Sequence, residues 1–286
     1  MVRNPMNAHQ ISRIKLSPDV VDCIVFWTKN PERMLKELYL LENYNFYFQF
    51  TITAYGQTLE PNVPSPERVI SHFRQLSQMI GKERIIWRYD PIVLTRDMDF
   101  NYHIRQFTNV AVKLAGLTNR CVISFLDLYQ KSIKNLYGIQ LSNVNHKAMG
   151  EIAKALSHIA GQYGIKIVSC AEEIDLSDIG IPHSKCIDDK LISEISGKEL
   201  DIEKDKSQRK ECSCVASIDI GAYNTCSHGC LYCYATFDSN RVKKNLSLHE
   251  KKSPLLFGNI GPDDRIVERK VVSCFRAQTN FFLNGN

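Results

Sequence analysis

Short apolar segments alternate with segments of helical pattern along the first 200 residues. This alternation limits the fold classes that the chain can adopt. The first apolar segment, 21–27, is rich in β-branched and aromatic residues, which predicts a buried strand. Pro31 then opens a helical pattern, as proline suits the first turn of a helix. Further strands are predicted at 46–53, 84–88, 120–126 and 165–170, helices at 65–80, 102–117 and 144–163, and short helical patterns around Asp175 and Leu191.

Strands alternating with helices of this length indicate a parallel sheet with right-handed crossovers, the α/β class. A full (β/α) barrel has eight strands, whereas only five appear here, with residues 215–220 as a sixth. The predicted fold is therefore a partial TIM-like (β/α) barrel, open on one side, with a cysteine-rich cluster-binding segment at its C-terminal end. Residues 1–20 are polar and are predicted to be an irregular entry segment.

Polar side chains follow the predicted strands where each one ends. Lys29, Arg88, Asp90 and Glu172 all occupy such positions. In a (β/α) barrel the C-terminal strand ends meet at one mouth, so these groups are predicted to converge there. A cation beside an anion suits an aminocarboxylate or another polar ligand, although the same groups can form structural ion pairs that close the strand ends.

Half of the ten cysteines lie between residues 212 and 233. Cys226, Cys230 and Cys233 form a C-x3-C-x2-C loop, a spacing that lets three thiolates converge on one soft metal centre. Zinc is the alternative metal, with His228 or Cys214 as the fourth ligand. The histidines form neither an H-x3-H nor an H-E-x2-H pattern, and no phosphate-binding glycine motif follows a strand.

The segment 226–235, Cys-Ser-His-Gly-Cys-Leu-Tyr-Cys-Tyr-Ala, resembles the cluster loop of radical S-adenosylmethionine enzymes. The resemblance implies that Cys226, Cys230 and Cys233 hold a [4Fe-4S] cluster whose open iron binds S-adenosylmethionine, with Tyr232 near the adenine. On this basis, Lys29, Arg88, Asp90 and Glu172 are expected to contact the cofactor. In that superfamily the loop usually lies near the start of the barrel, whereas here it comes late in the chain.

The wider chain resembles a bacterial family called domain of unknown function 1848. The resemblance rests on segments such as 26–31 (Phe-Trp-Thr-Lys-Asn-Pro), 87–91 (Trp-Arg-Tyr-Asp-Pro) and 208–214 (Gln-Arg-Lys-Glu-Cys-Ser-Cys). It implies a fold and a cluster, but no reaction.

Cys212 and Cys214 form a second, tighter pair that is also predicted to bind metal. They either complete a separate site with Cys170 and Cys186 or give the first cluster its fourth ligand, and the second arrangement would favour an electron carrier over a catalyst. Cys23 and Cys121 lie within apolar strands and are predicted to be buried free thiols.

The absence of a long apolar run or an apolar N-terminal signal predicts a cytoplasmic protein without a membrane partner. Ten cysteines in a reducing compartment favour metal or redox chemistry over disulfides. Residues 204–252 carry nine Lys or Arg against five Asp or Glu, which suits a solvated face, an acidic electron donor such as flavodoxin or ferredoxin, or nucleic-acid phosphate.

Three regions are predicted: a barrel-like domain (1–200), a cysteine-rich iron–sulfur segment (201–270) and an irregular tail (271–286). The functional hypothesis is a radical S-adenosylmethionine-like iron–sulfur enzyme with an unidentified substrate. The alternatives are a non-catalytic iron–sulfur or zinc protein, used for structure, electron transfer or nucleic-acid contact, and a hydrolase with an accessory cluster.

Overall fold

The computed structural model describes residues 1–128 and 133–276. Its strands are β1 (Val2–Arg3), β2 (Gln10–Ile14), β3 (Ile24–Thr28), β4 (Phe46–Thr51), β5 (Ile85–Ile92), β6 (Arg120–Phe125), β7 (Lys166–Ser169) and β8 (Arg265–Arg269). Five of them form one parallel sheet in the sequential order β3-β4-β5-β6-β7. The predicted α/β class and parallel sheet are confirmed.

The helices lie between the strands, as the sequence pattern predicts. They are α1 (Glu32–Leu35), α2 (Pro66–Ile80), α3 (Phe100–Leu114), α4 (His146–Gln162), α5 (Asp189–Ser196) and α6 (Ser239–Ser247). The three long helices each begin at a side-chain cap, supplied by Ser65, Asp99 and Asn145. Each cap accepts a hydrogen bond from one of the free N–H groups in the first helical turn.

The two faces of the parallel sheet are covered differently. One face packs against the long helices and forms the main core, around Phe48, Trp87, Phe107 and Leu156. The opposite face carries Tyr47, Ile86, Val122 and Val168, and α5 covers part of it through Leu191 and Ile192. Polar strand residues on this second face are therefore held beside the segments that precede α5.

A second, smaller sheet joins the two ends of the described chain. Strand β2 pairs with β1 in antiparallel fashion and with β8 in parallel fashion. Arg3 reinforces the junction by binding the Asp264 carboxylate with both guanidinium nitrogens, at 2.5 and 2.8 Å. The prediction that residues 1–20 are irregular is therefore wrong, because β2 finds its partner more than 250 residues along the chain.

Neither sheet closes on itself within the described residues, so the parallel sheet is an open one. The predicted sixth strand at 215–220 does not form. Val215 makes a single bridge with Lys204, and its N–H donates to the carbonyl of Ile187 rather than to a strand of the sheet. The part of the predicted tail beyond residue 276 lies outside the described residues.

Candidate functional site

The loop of residues 226–233, called here the cysteine loop, docks onto the segment that follows β4. The N–H of Leu231 donates to the carbonyl of Leu59, and the N–H of Asn62 donates to the carbonyl of His228, at 2.9 and 3.1 Å. The Asn62 amide also donates to the carbonyl of Ser227 at 3.0 Å. These three bonds hold the cysteine loop near the C-terminal ends of β3 and β4.

Two residues shape the cysteine loop itself. Gly229 has φ +65°, and a Cβ there would lie 3.1 Å from the Asn62 amide nitrogen, so glycine permits both the turn and the close approach. Asn224, just before the loop, accepts hydrogen bonds from the N–H groups of Phe237 and Asp238. The base of the loop is thereby tied to the start of α6.

Glu60 is the buried charge at the docking surface, with 4% of its surface exposed. Its carboxylate accepts hydrogen bonds from the Lys29 ammonium at 2.8 Å, from the Thr53 hydroxyl and from the Tyr232 hydroxyl of the cysteine loop. Burial raises the pKa of Glu60, but the charge of Lys29 and the three hydrogen bonds outweigh it, and the pKa lies below its ordinary value. The Lys29 ammonium also lies 5.6 Å from the centre of the Tyr232 ring.

The three thiols of the loop differ in exposure, since Cys230 is buried, Cys233 is half-buried and Cys226 is exposed. Burial raises the pKa of Cys230 to about 12, against the opposing charge of Lys29. Although the surface of Cys226 as a whole is exposed, burial of its thiol also raises its pKa, again against the charge of Lys29. Lys29 therefore offsets part of the rise in the pKa of both thiols.

Arg88 and Asp90 form a second polar group on the face of the sheet that α5 partly covers. The Arg88 guanidinium donates to Asp90 at 2.8 Å, to the Gln49 side-chain oxygen at 3.2 Å and to the Cys186 sulfur at 2.9 Å. Asp90 also accepts a hydrogen bond from the Ser124 hydroxyl. All of these groups come from β4, β5 and β6 or from the segment just before α5.

Cys186 contacts two cysteines from other segments, Cys170 and Cys214. These three and the buried Cys212, two residues before Cys214, are called here the buried thiol group. The sulfurs of Cys170 and Cys186 lie 2.9 Å apart. The Cys214 sulfur accepts hydrogen bonds from the N–H groups of Cys186 and Ile187, at 3.2 and 3.4 Å. Contacts with the Cys170 and Cys214 thiols, followed by the charge of Arg88, lower the pKa of Cys186.

Glu172 is held by the backbone of β6. Its carboxylate accepts a hydrogen bond from the Phe125 N–H at 2.8 Å, at the end of β6. Burial raises the pKa of Glu172 to about 7, and the negative charges of Asp127 and Asp90 act in the same direction.

The residues predicted to bind one cofactor make contacts in three different places. Lys29 and Tyr232 meet through Glu60 beside the cysteine loop, Arg88 and Asp90 meet beside Cys186, and Glu172 bonds to the backbone of β6. Cys214, one of the predicted metal ligands, contacts the segment of Cys186. Glu60 and Asn62 were not predicted from the sequence, because both lie in the irregular segment after β4 rather than at a strand end.

The side chains of the described residues are not arranged in advance for metal binding. Within residues 1–128 and 133–276, no three His, Cys, Asp or Glu side chains are already arranged to hold a metal ion. Binding at either group of cysteines therefore requires the sulfurs to move.

Comparison with known families identifies the chain. Residues 1–235 match the profile of the family described as Domain of unknown function (DUF1848). The chain belongs to the DUF1848 family. This match covers the parallel sheet, the buried thiol group and the cysteine loop, and it confirms the family predicted from the sequence.

Comparisons of this DUF1848 chain with curated proteins and with solved structures find no match. In the part of the chain that the structure describes, no helix combines the length and apolar character needed to cross a membrane.

Proposed function

We propose that this DUF1848 protein is a radical S-adenosylmethionine-like enzyme whose [4Fe-4S] cluster is held by Cys226, Cys230 and Cys233. The observation that carries the proposal is the docking of the cysteine loop near the ends of β3 and β4, with a buried ion pair at the contact. A loop used only to bind metal needs no such charged partner from the sheet. The proposal treats the open parallel sheet as part of a barrel whose mouth the loop covers.

The donor set fits a cluster chemically. Three thiolates from one loop suit a soft iron–sulfur centre, and when bound such a centre keeps one iron open to an outside ligand. Metal binding requires ionised thiols. Burial raises the pKa of Cys226 and Cys230, and the positive charge of Lys29 offsets part of that rise. The chain thus supplies a cation where thiolates must form.

Lys29 and Glu60 supply neighbouring opposite charges beside the loop, at 2.8 Å from one another. A ligand with a carboxylate and an amine can pair with such groups if they separate from each other, and Tyr232 adds an aromatic surface. Arg88 and Asp90 form a second pair, on the face of the sheet that α5 partly covers. We assign Lys29 and Glu60 to cofactor binding.

A reducing compartment suits this chemistry, so the proposal places the protein in the cytoplasm. Reduction of the cluster needs an electron donor. Helix α6, directly after the cysteine loop, exposes Arg241, Lys243 and Lys244. Such a basic helix can dock an acidic flavodoxin or ferredoxin.

One observation favours a second candidate, a structural zinc site. His228 lies within the cysteine loop and is half-buried, and burial, followed by the charge of Lys29, lowers its pKa. A neutral imidazole is a zinc ligand, so His228 with the three loop cysteines would give a closed four-ligand site.

The deciding experiment is anaerobic reconstitution with iron and sulfide, followed by electron paramagnetic resonance of the reduced protein with and without S-adenosylmethionine. We expect about four irons bound through the loop and a signal that shifts when S-adenosylmethionine is added. The Cys230→Ser variant should lose this cluster, whereas Cys274→Ser, which removes a thiol far along the chain, should retain it.

Zinc bound without sulfide would support the second candidate and refute the enzyme proposal. An iron–sulfur signal that does not change when S-adenosylmethionine is added would support an electron carrier instead of an enzyme.

A further inference from the structure

The buried thiol group is built by parts of the chain that are far apart in sequence. Cys170 directly follows β7, Cys186 precedes α5, and Cys212 and Cys214 lie in the irregular segment before the cysteine loop. Cys170, Cys212 and Cys214 each expose less than a tenth of their surface. Core packing alone does not require sulfur at three converging positions, and a methyl-bearing residue would fill the space as well.

Hydrogen-bond donors face two of these sulfurs. Cys214 accepts two backbone N–H bonds, and Cys186 lies 2.9 Å from a guanidinium nitrogen of Arg88. Arg88 is itself fixed by Asp90 and Gln49, so its position does not depend on the thiol. N–H groups and a guanidinium aimed at sulfur stabilise thiolates, the form in which cysteine binds metal.

The geometry points to a second metal centre, in which Cys170, Cys186 and Cys214 bind one thiophilic divalent ion such as zinc. Cys212, two residues before Cys214 and also buried, is the fourth ligand in this proposal. This centre is separate from the cluster proposed for the cysteine loop and does not depend on it. Four thiolates around a divalent ion leave a net negative charge, which Arg88 and the two N–H groups offset. The ion would fix the segments before and after α5 to the end of β7.

The sulfur distances favour a single ion over a cluster. Two sulfurs bound tetrahedrally to one zinc ion lie about 3.8 Å apart. The sulfurs of Cys170 and Cys186, now in direct contact at 2.9 Å, would need to separate by about 1 Å. A four-iron cluster would move them much further, because each cysteine then binds a different iron.

The burial of these cysteines favours a structural metal site over a thiol that senses oxidants. Cysteines that sense oxidants are accessible to solvent, whereas three members of this group are almost completely buried. The site is therefore placed for structural binding rather than for reaction with a dissolved oxidant.

The test uses a chain whose cysteine loop has lost its three thiols. The full chain carrying Cys226→Ser, Cys230→Ser and Cys233→Ser is stripped of metal and titrated anaerobically with Co²⁺, whose sulfur-to-cobalt absorption bands report thiolate ligands. We expect these bands to saturate at about one cobalt per chain and to disappear when Zn²⁺ displaces the cobalt. Adding Cys186→Ser should weaken binding at least about a hundredfold, since even partners outside the ligand set change metal affinity by tenfold or more.

Cys274→Ser in the same background is the matched control and should leave the titration unchanged. Cys212→Ser tests the fourth ligand without touching the contact with Arg88, and circular dichroism establishes that each variant is folded. In the chain with its loop intact, Cys186→Ser should remove this metal and leave the loop cluster in place.

Several results would overturn the inference. They are an absence of thiolate bands in the loop variant, bands that survive Cys186→Ser, iron with sulfide at this site, and a Cys170–Cys186 disulfide in freshly prepared protein. None of them bears on the proposed cluster of the cysteine loop, so the two proposals fail separately.

Discussion

At the scale of single residues, Glu60 connects the sheet to the cysteine loop. Its carboxylate is shared by Lys29 after β3, Thr53 after β4 and Tyr232 of the loop. A buried carboxylate is tolerated only when charge and hydrogen bonds compensate for lost hydration, and here the donors come from three segments. Glu60 therefore fixes the position of the loop as well as its own.

We predict that Glu60→Gln destabilises the protein by about 2–4 kcal/mol, because the change leaves the largely buried Lys29 ammonium without its counter-charge. The free energy of unfolding in urea measures the effect. Adding Lys29→Met should recover part of the loss, since it removes the unpaired charge.

Glu268→Gln is the control for removing a carboxylate. Its partner is Arg13, and both side chains of that pair are more than half exposed, so the change should cost less than about 1 kcal/mol. If Glu60→Gln cost no more than Glu268→Gln, the carboxylate would have no role in holding the loop.

At the scale of elements, the conformation of the cysteine loop depends on one glycine. Gly229→Ala places a side chain at φ +65° and pushes its Cβ against the Asn62 amide that binds Ser227. We predict a loss of about 1–3 kcal/mol in the free energy of unfolding, from backbone strain and the displaced contact, together with weaker iron retention after reconstitution.

Gly150→Ala is the matched change in a regular element. Gly150 lies within α4, where an added Cβ meets nothing within 4 Å, so the variant should be more stable by up to about 1 kcal/mol. Equal stability of Gly229→Ala and the unmutated protein would mean that the loop tolerates another backbone conformation.

The elements of the parallel sheet could be predicted because their signals are local. Strand β4 is a run of aromatic residues, and α2 begins at a Ser-Pro pair that supplies both the cap and the first turn. Strand β2 escaped prediction because its segment, Gln-Ile-Ser-Arg-Ile, is short and mostly polar. The pairing with β8, far along the chain, covers all five of its residues, whereas the nearby β1 pairs with only two.

At the scale of the whole molecule, spacing identified the cysteine loop but not its surroundings. Lys29 and Tyr232 were predicted to lie near one cofactor, and the structure brings both to Glu60, a residue without a motif of its own. The contact between Cys170 and Cys186 follows from the position of α5 across the second face of the sheet, so sequence spacing could suggest it only as one alternative. Sites assembled from distant segments depend on the packing of the whole fold.

We predict that the small sheet unfolds as a cooperative unit separate from the parallel sheet. Ile11 is completely buried in β2 and lies opposite Ile266 of β8. Ile11→Ala should remove at least about 2 kcal/mol from the stability of this sheet, so amide exchange in β2 and β8 should accelerate by about thirtyfold or more. Exchange in β4 and β5 should stay unchanged, because their core is separate from Ile11. Hydrogen exchange read by mass spectrometry measures both regions in one experiment.

Ile266→Ala, at a position with 38% of its surface exposed, should have a much smaller effect. Equal acceleration in β4 and β5 would instead mean that the two sheets unfold as one unit.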